Sequence, residues 1–348
     1  MSSVRVALTR RPSPGDDLGG ALVDRFGRVH RDLRISVTDR CNFRCVYCMP
    51  EEGVRFLPRA QILSYEELAR VARVAYGLGV RRVRITGGEP LVRRGVDSFV
   101  EMLSAIGFED LSMTTNGTGL ERQAPRLAAA GLRRVNISCD SLRPERFPSI
   151  RRSGDLATVL GAMDAAERAG LSPLKVNVVV LAGVNDDELV DFARFGRETG
   201  RIVRFIEYMP LDGAGSWERE SVVPATRIVE EISAHWPLEV LAGSDADPYA
   251  PATRYRFVDG AGEIGVIPTV TEPFCGTCDR LRVTADGAIR NCLFANEETP
   301  LKTLLRSGAD DAAIALAFRL AVNAKLPGHG INDPGFLRPR RSMSMIGG

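Results

Sequence analysis

Residues 33–50 read LRISVTDRCNFRCVYCMP, an apolar β-branched run that turns at Thr38 into a loop carrying Cys41, Cys45 and Cys48. A run of this kind reads as a strand (34–38) buried on both faces. The C-x3-C-x2-C spacing then places three thiols at the end of that strand. Outward from this stretch the same alternation recurs. YEELARVARVAYGLG (65–79) has helical period and VRRVRITG (80–87) is the next strand. SFVEMLSAIG, LSMTTNG, QAPRLAAAG, RRVNISCD, LATVLGAMDAAERAG, KVNVVVL, DELVDFARFGRETG and VRFIEYM carry the series to about residue 210. Repeated strand-then-helix units of this sort imply an α/β fold: a parallel sheet with right-handed crossovers and helices outside. In a barrel or partial barrel, function gathers at the C-terminal strand ends. Those ends carry the cysteine loop, then Gly87-Gly88-Glu89-Pro90, then Thr114-Thr115-Asn116-Gly117, then Ser138-Cys139-Asp140.

The chain has 348 residues, more than one core of ~250–300 residues usually holds, so a barrel with an appendage is expected. Its 46 Lys and Arg against 44 Asp and Glu leave a formal charge of +2, too little for a dedicated nucleic-acid binder. No apolar run approaches the ~18–20 residues of a membrane span. The opening MSSVRVALTRRPSPGDDLGG lacks the apolar core of a signal peptide, and a cytoplasmic location is expected. After Met209 the periodicity weakens. A short helix is expected near 226–235, and LAGSDADPYAPATRYRFVDGAGEIGVIP (241–268) reads as hairpins of a smaller second domain. Residues 311–324 read as a helix. The expected division is a disordered extension (1–24), a core barrel (25–245), a C-terminal domain (246–325) and a tail (326–348) ending in Gly347-Gly348.

Seven cysteines, an odd number in a large chain with no secretory signal, favour metal binding over a disulfide framework. Three thiolates on one loop can hold three corners of a four-iron cubane and leave the fourth iron open. The competing reading, structural zinc, wants four ligands, and no histidine lies within ten residues of the set. Cys275-x2-Cys278-x13-Cys292 offers a second triad among the hairpins, with a zinc knuckle or a redox pair as its alternatives. Two triads suggest two [4Fe-4S] clusters. Cys139 reads as a small buried residue, and His30, His235 and His329 show no ligand spacing.

The cysteine spacing after a first barrel strand, with Tyr47 before the last cysteine and GGEP after the second strand, resembles the radical S-adenosylmethionine superfamily. FCGTCDRLRVTADGAIRNCLF (274–294) narrows the resemblance to the GTP 3′,8-cyclases of molybdenum-cofactor biosynthesis, the MoaA family. So do LRRVNISCDSL, RFIEYMP and the terminal Gly-Gly. The resemblance implies an incomplete (β/α)6 TIM barrel with a C-terminal α+β domain that carries the second cluster.

It also implies roles. Tyr47, Gly88, Ser138 and Met209 would meet S-adenosylmethionine. Arg34, Arg84, Thr114, Lys175, Arg280, Leu281 and Arg282 would meet GTP, whose triphosphate suits forked guanidinium groups. Arg34, Arg280 and Arg282, with a tail whose Gly347 and Gly348 reach the active site, would serve catalysis. Arg82 stands where many relatives carry Lys and is expected to face a phosphate. The implied partners are a flavodoxin- or ferredoxin-like electron donor and the downstream cyclic pyranopterin monophosphate synthase, for a monomer or homodimer. Two rivals differ: a radical enzyme that modifies peptides, which has no need of phosphate-binding cations, and a zinc-stabilised binding protein, which would hold no iron.

Overall fold

The computed structural model describes residues 20–213, 215–242 and 247–347. The expected series is present as Asp32–Ser36 (β1), Arg82–Thr86 (β2), Asp110–Thr115 (β3), Arg134–Ser138 (β4), Lys175–Val180 (β5) and Ile202–Glu207 (β6). Between them run Tyr65–Gly77 (α1), Val96–Ser104 (α2), Leu120–Ala129 (α3), Phe147–Arg151 (α4), Leu156–Arg168 (α5) and Leu189–Thr199 (α6). Local chemistry sets their limits. Ser64 and Glu67 form a reciprocal capping box at the start of α1, and the Asp155 side chain caps α5. Each helix turns an apolar stripe inward, such as Leu68, Val71, Ala72 and Ala75 of α1. These stripes pack on the outward-facing strand residues Leu33, Ile35, Val83, Ile85 and their equivalents.

The smaller C-terminal region adds its strands to both edges of the barrel half's sheet. Ala225–Ser233 (α7) leads into Leu238–Val240 (β7), Thr253–Phe257 (β8) and Glu263–Ile267 (β9), and β9 pairs parallel with β6. Arg280–Val283 (β10) pairs parallel with β1 at the other edge, followed by Ala288–Arg290 (β11) and Thr299–Pro300 (β12). All twelve strands form one sheet, in the order β12-β11-β10-β1-β2-β3-β4-β5-β6-β9-β8-β7. The reason is that a partial barrel leaves unpaired backbone groups along both edge strands, and the C-terminal strands satisfy them. Lys302–Arg306 (α8) and Asp311–Asn323 (α9) follow, and Met343–Ile346 (α10) gives the expected tail a helical turn.

The expectation of disorder over 1–24 fails for its last residues. Leu22 and Asp24 are buried, and Asp24 pairs with Arg28 and His30. Residues 1–19 lie outside the described residues.

Topology decides where the second cysteine triad goes. Because β9 and β10 are parallel, the chain leaves the C-terminal end of one and must enter the N-terminal end of the other. Residues 268–279 make this crossing and carry Cys275 and Cys278. β11 runs antiparallel to β10 and returns Cys292 to the same end. One triad thus lies at the C-terminal ends of the parallel strands and the other toward their N-terminal ends.

Candidate active site

Register places the charged residues of the sheet in rows. Arg34 lies opposite Arg282 on one side and Arg84 on the other, and Asp32 lies opposite Arg280 and Arg82. Like charges directly opposite destabilise a sheet, so a run of Arg282, Arg34 and Arg84 on adjacent strands carries a cost. Arg204 adds to it from β6, where it donates to Asn177 Oδ1 at 2.6 and 3.0 Å. Burial, Arg282 and Arg280 lower Arg34 to about 9, despite the nearby Asp32. Burial and Arg34 bring Arg84 to about 9, and burial and Arg280 bring Arg282 to about 10. Arg34 Nε and an Arg280 terminal nitrogen are buried without a hydrogen-bond partner. Cations crowded inside a fold, some of their nitrogens without partners, can receive a polyanion.

These rows line a cavity of about 1750 Å³, open mouth included, and all six paired-set cysteines border it. Also on its wall are the expected Tyr47, Gly88, Thr114, Ser138, Met209, Arg34, Arg84, Arg280 and Arg282. Lys175 and Leu281 are not. Lys175 continues the line Thr114–Asn136–Lys175 and is lowered to about 7 by burial, Arg204, Arg134 and Arg84. The Leu281 side chain belongs to the hydrophobic core on the other face, so only its backbone can serve the cavity. Arg82 does not face it either: its guanidinium pairs with Asp279 at 2.5 Å and Asp247 at 2.8 Å. Gly347 holds φ +83°, and its carbonyl accepts from the Arg282 guanidinium. Gly348 lies outside the described residues.

At the first triad, backbone N–H groups of Arg44 and Val46 donate to carbonyls of Arg151 and Ile150, pinning the cysteine loop to α4. Burial and Glu89 push the Cys41 thiol up to about 12, and burial with the neighbouring thiols pushes Cys48 well above its ordinary range. At the second triad burial raises Cys278, but Arg280 and Lys325 outweigh it and bring the thiol down to about 7. Among the described residues no three His, Cys, Asp or Glu side chains are gathered as ligands of one metal ion. A four-iron cubane makes a different demand, because its three thiolates would bind three different irons.

Glu89 of the GGEP motif stands on the cavity wall. It accepts from Leu91 N–H at 3.0 Å, the Thr115 hydroxyl at 2.7 Å and Asn116 N–H at 2.6 Å. The carboxylate therefore ties the loops after β2 and β3 together, and burial raises it to about 7 despite those donors. Gly88 is required by space, since a side chain there would collide with the Arg40 carbonyl. Sequence reasoning missed Arg204, Asn177, Asp140, Arg151 and His329, all on the cavity wall. Arg204 carries the signal that marked Arg34, a lone cation inside an apolar strand, and Asp140 sits in a strand-end triplet already noted; Asn177, Arg151 and His329 carry none.

Comparisons with known proteins place the chain in a family. A model of the radical SAM superfamily matches residues 35–196, and one named Molybdenum Cofactor Synthesis C matches residues 201–331. A GTP 3′,8-cyclase of Mycobacterium sp. (strain KMS) is 48% identical over 99% of this chain and 98% of its own. One from Streptomyces coelicolor is 47% identical over 94% and 96%. In fold the chain is similar to Streptococcus suis SuiB, with TM-score 0.61 at 12% identity over 91% of this chain and 77% of that one. It is likewise similar to anSMEcpe with bound AdoMet, with TM-score 0.58 at 16% identity over 87% and 79%. Carrying both matched regions and near-half identity along almost its whole length, the chain belongs to the GTP 3′,8-cyclase family of the radical SAM superfamily.

Proposed function

We propose that this protein converts GTP to 3′,8-cyclo-7,8-dihydro-GTP, the first step of molybdenum-cofactor biosynthesis, in the cytoplasm. The observation that supports it best is one cavity with a thiol triad at each end and buried arginines between, of which Arg34 and Arg280 each keep a nitrogen without a hydrogen-bond partner. Cys41, Cys45 and Cys48 would hold one [4Fe-4S] cluster, and Cys275, Cys278 and Cys292 a second. When bound, the first cluster would pass one electron to S-adenosylmethionine, and the resulting 5′-deoxyadenosyl radical would take the 3′ hydrogen of GTP; C3′ would bond to C8 as the C8–N7 double bond opens, and a second electron from the donor with one proton would complete the product. The chain's own residues do the rest. Tyr47, Gly88, Ser138 and Met209 position S-adenosylmethionine, and Arg34, Arg84, Arg204, Arg280 and Arg282 neutralise and orient the triphosphate, with Thr114 and Lys175 beside them. Arg282 also holds the tail through Gly347, so substrate and tail share one anchor. The barrel wall and docked tail keep water and stray hydrogen donors from the reacting carbon. An electron donor of flavodoxin or ferredoxin type would feed the first cluster, and a cyclic pyranopterin monophosphate synthase would take the product.

The test is anaerobic incubation of reconstituted protein with GTP, S-adenosylmethionine and a strong reductant, followed by mass analysis. The expected result is 5′-deoxyadenosine together with a compound isomeric with GTP. Methionine and 5′-deoxyadenosine without that isomer would overturn the substrate assignment.

A further inference from the structure

Arg151 ends α4 deep inside the protein, 2% exposed, beside the first cysteine triad. Its guanidinium carbon stands 5.8 Å from the Phe43 ring centre, 5.9 Å from that of Tyr47 and 5.9 Å from that of Phe147. One terminal nitrogen donates to Cys45 Sγ at 3.4 Å. The other lies 2.8 Å from Asp140 Oδ2, the oxygen that also accepts the Tyr47 hydroxyl at 2.8 Å. Asp140 is in turn fixed by Val179 N–H at 2.9 Å. Nε of Arg151 has no hydrogen-bond partner. As a purely structural device this is a poor one, because a buried ion pair rarely improves on apolar packing of the same volume. What it does produce is a rigid dipole whose positive end touches a thiolate ligand of the cavity.

We propose that Arg151 is a positioning residue for the first cluster, which holds a positive charge on Cys45 Sγ and thereby makes that cluster easier to reduce. The inference rests on the assignment of a cluster to Cys41, Cys45 and Cys48. A cluster gains negative charge on reduction, so a fixed cation and an N–H···S hydrogen bond favour the reduced form. The Arg151–Asp140 orientation also predicts opposite effects from the two partners. Asp140→Asn removes the negative end and leaves the cation unopposed. Arg151→Met with Asp140→Asn removes both charges and leaves no uncompensated carboxylate in the interior.

The test is an EPR-monitored redox titration of the reconstituted holoenzyme, following the reduced-cluster signal that responds to added S-adenosylmethionine. Iron content and circular dichroism are recorded for each variant. The double variant should show a reduction equilibrium shifted about tenfold toward the oxidised form, 59 mV lower for a one-electron couple. Asp140→Asn should shift the other way, and Arg151→Lys should fall between wild type and the double variant. If both shifts share a sign, or the midpoints coincide at equal iron content, the inference is overturned. If wild type shows no signal that responds to S-adenosylmethionine, the cluster assignment falls first and takes this inference with it. An apolar replacement that merely loosened the loop would change iron content without giving shifts of opposite sign.

Discussion

Gly347→Ala perturbs the tail while leaving every cysteine and every arginine unchanged. The glycine sits at φ +83°, and a Cβ there would stand 2.6 Å from Thr86 Oγ1 and 2.8 Å from Ser36 Cβ. Both neighbours end their strands and face each other as the last pair of the β1–β2 ladder, so neither can retreat far. The left-handed conformation costs a side chain about 1–2 kcal/mol. Overpacking against fixed neighbours adds roughly 1–3 kcal/mol. What opposes them is the bond from Met343 N–H to the Leu211 carbonyl at 3.1 Å, the buried Ile346 and the Arg282 contact. With a net penalty of about 2 kcal/mol or more, the docked tail becomes at least roughly 30-fold less populated relative to the lifted one. Two readouts follow: faster trypsin cleavage after Arg341, and a higher ratio of 5′-deoxyadenosine to cyclised nucleotide with both clusters intact. Removing Gly347 and Gly348 altogether should abolish cyclisation. Wild-type tail protection and wild-type product yield from the alanine variant would refute the argument that the tail closes the site.

Lys175, lowered to about 7, should be recharged by a bound triphosphate. GTP binding should then take up protons near pH 8 and weaken as pH rises through 7; calorimetry in buffers of different ionisation enthalpy measures this, and uptake unchanged in Lys175→Met contradicts it. Arg204→Gln keeps a donor for Asn177 but deletes a cation that opposes Arg84, Arg134 and Arg34. It should raise the Tm of nucleotide-free protein and weaken GTP binding by about 2–5 kcal/mol; a lowered Tm with unchanged affinity would count against the polyanion site. Glu89→Gln sets an amide N–H2 against donors from the loops it joins and should cost about 1–3 kcal/mol in denaturant unfolding. Cys48→Ala should stop 5′-deoxyadenosine formation, whereas Cys292→Ala should leave some uncoupled cleavage of S-adenosylmethionine.

The strands of the barrel half were legible because each is a short β-branched run flanked by turn residues, and the thiol triads because their spacing has few other uses. The architecture of the second half was not legible. Whether Glu263–Ile267 and Arg280–Val283 pair with each other or with distant strands depends on unsatisfied edges of β6 and β1, which local pattern does not record. Arg82 illustrates a related limit. It has the same parity on β2 as Arg84, yet it is occupied by Asp247 and Asp279, which arrive from 165 and 197 residues downstream. Arg151 was invisible for the opposite reason. In IRRSG it reads as a solvated helix end, and only the packing of α4 against the cysteine loop buries it.

The pairing of β10 with β1 explains why extending the sheet and forming the arginine-lined cavity are one event. In the observed register Arg280 and Arg282 face the cavity, while Leu281 and Val283 enter the core. A slip of one residue would exchange them, burying two guanidinium groups among apolar side chains and lining the cavity with leucine and valine. The same slip would displace Cys278, two residues before Arg280, from the end of the cavity it shares with Cys275 and Cys292. Hydrophobic burial on the outer face therefore enforces the arginine rows on the inner face, although those rows repel one another until an anion arrives. The fold's stability and the site's charge pull in opposite directions, and the apolar residues of β10 settle the contest in favour of the site.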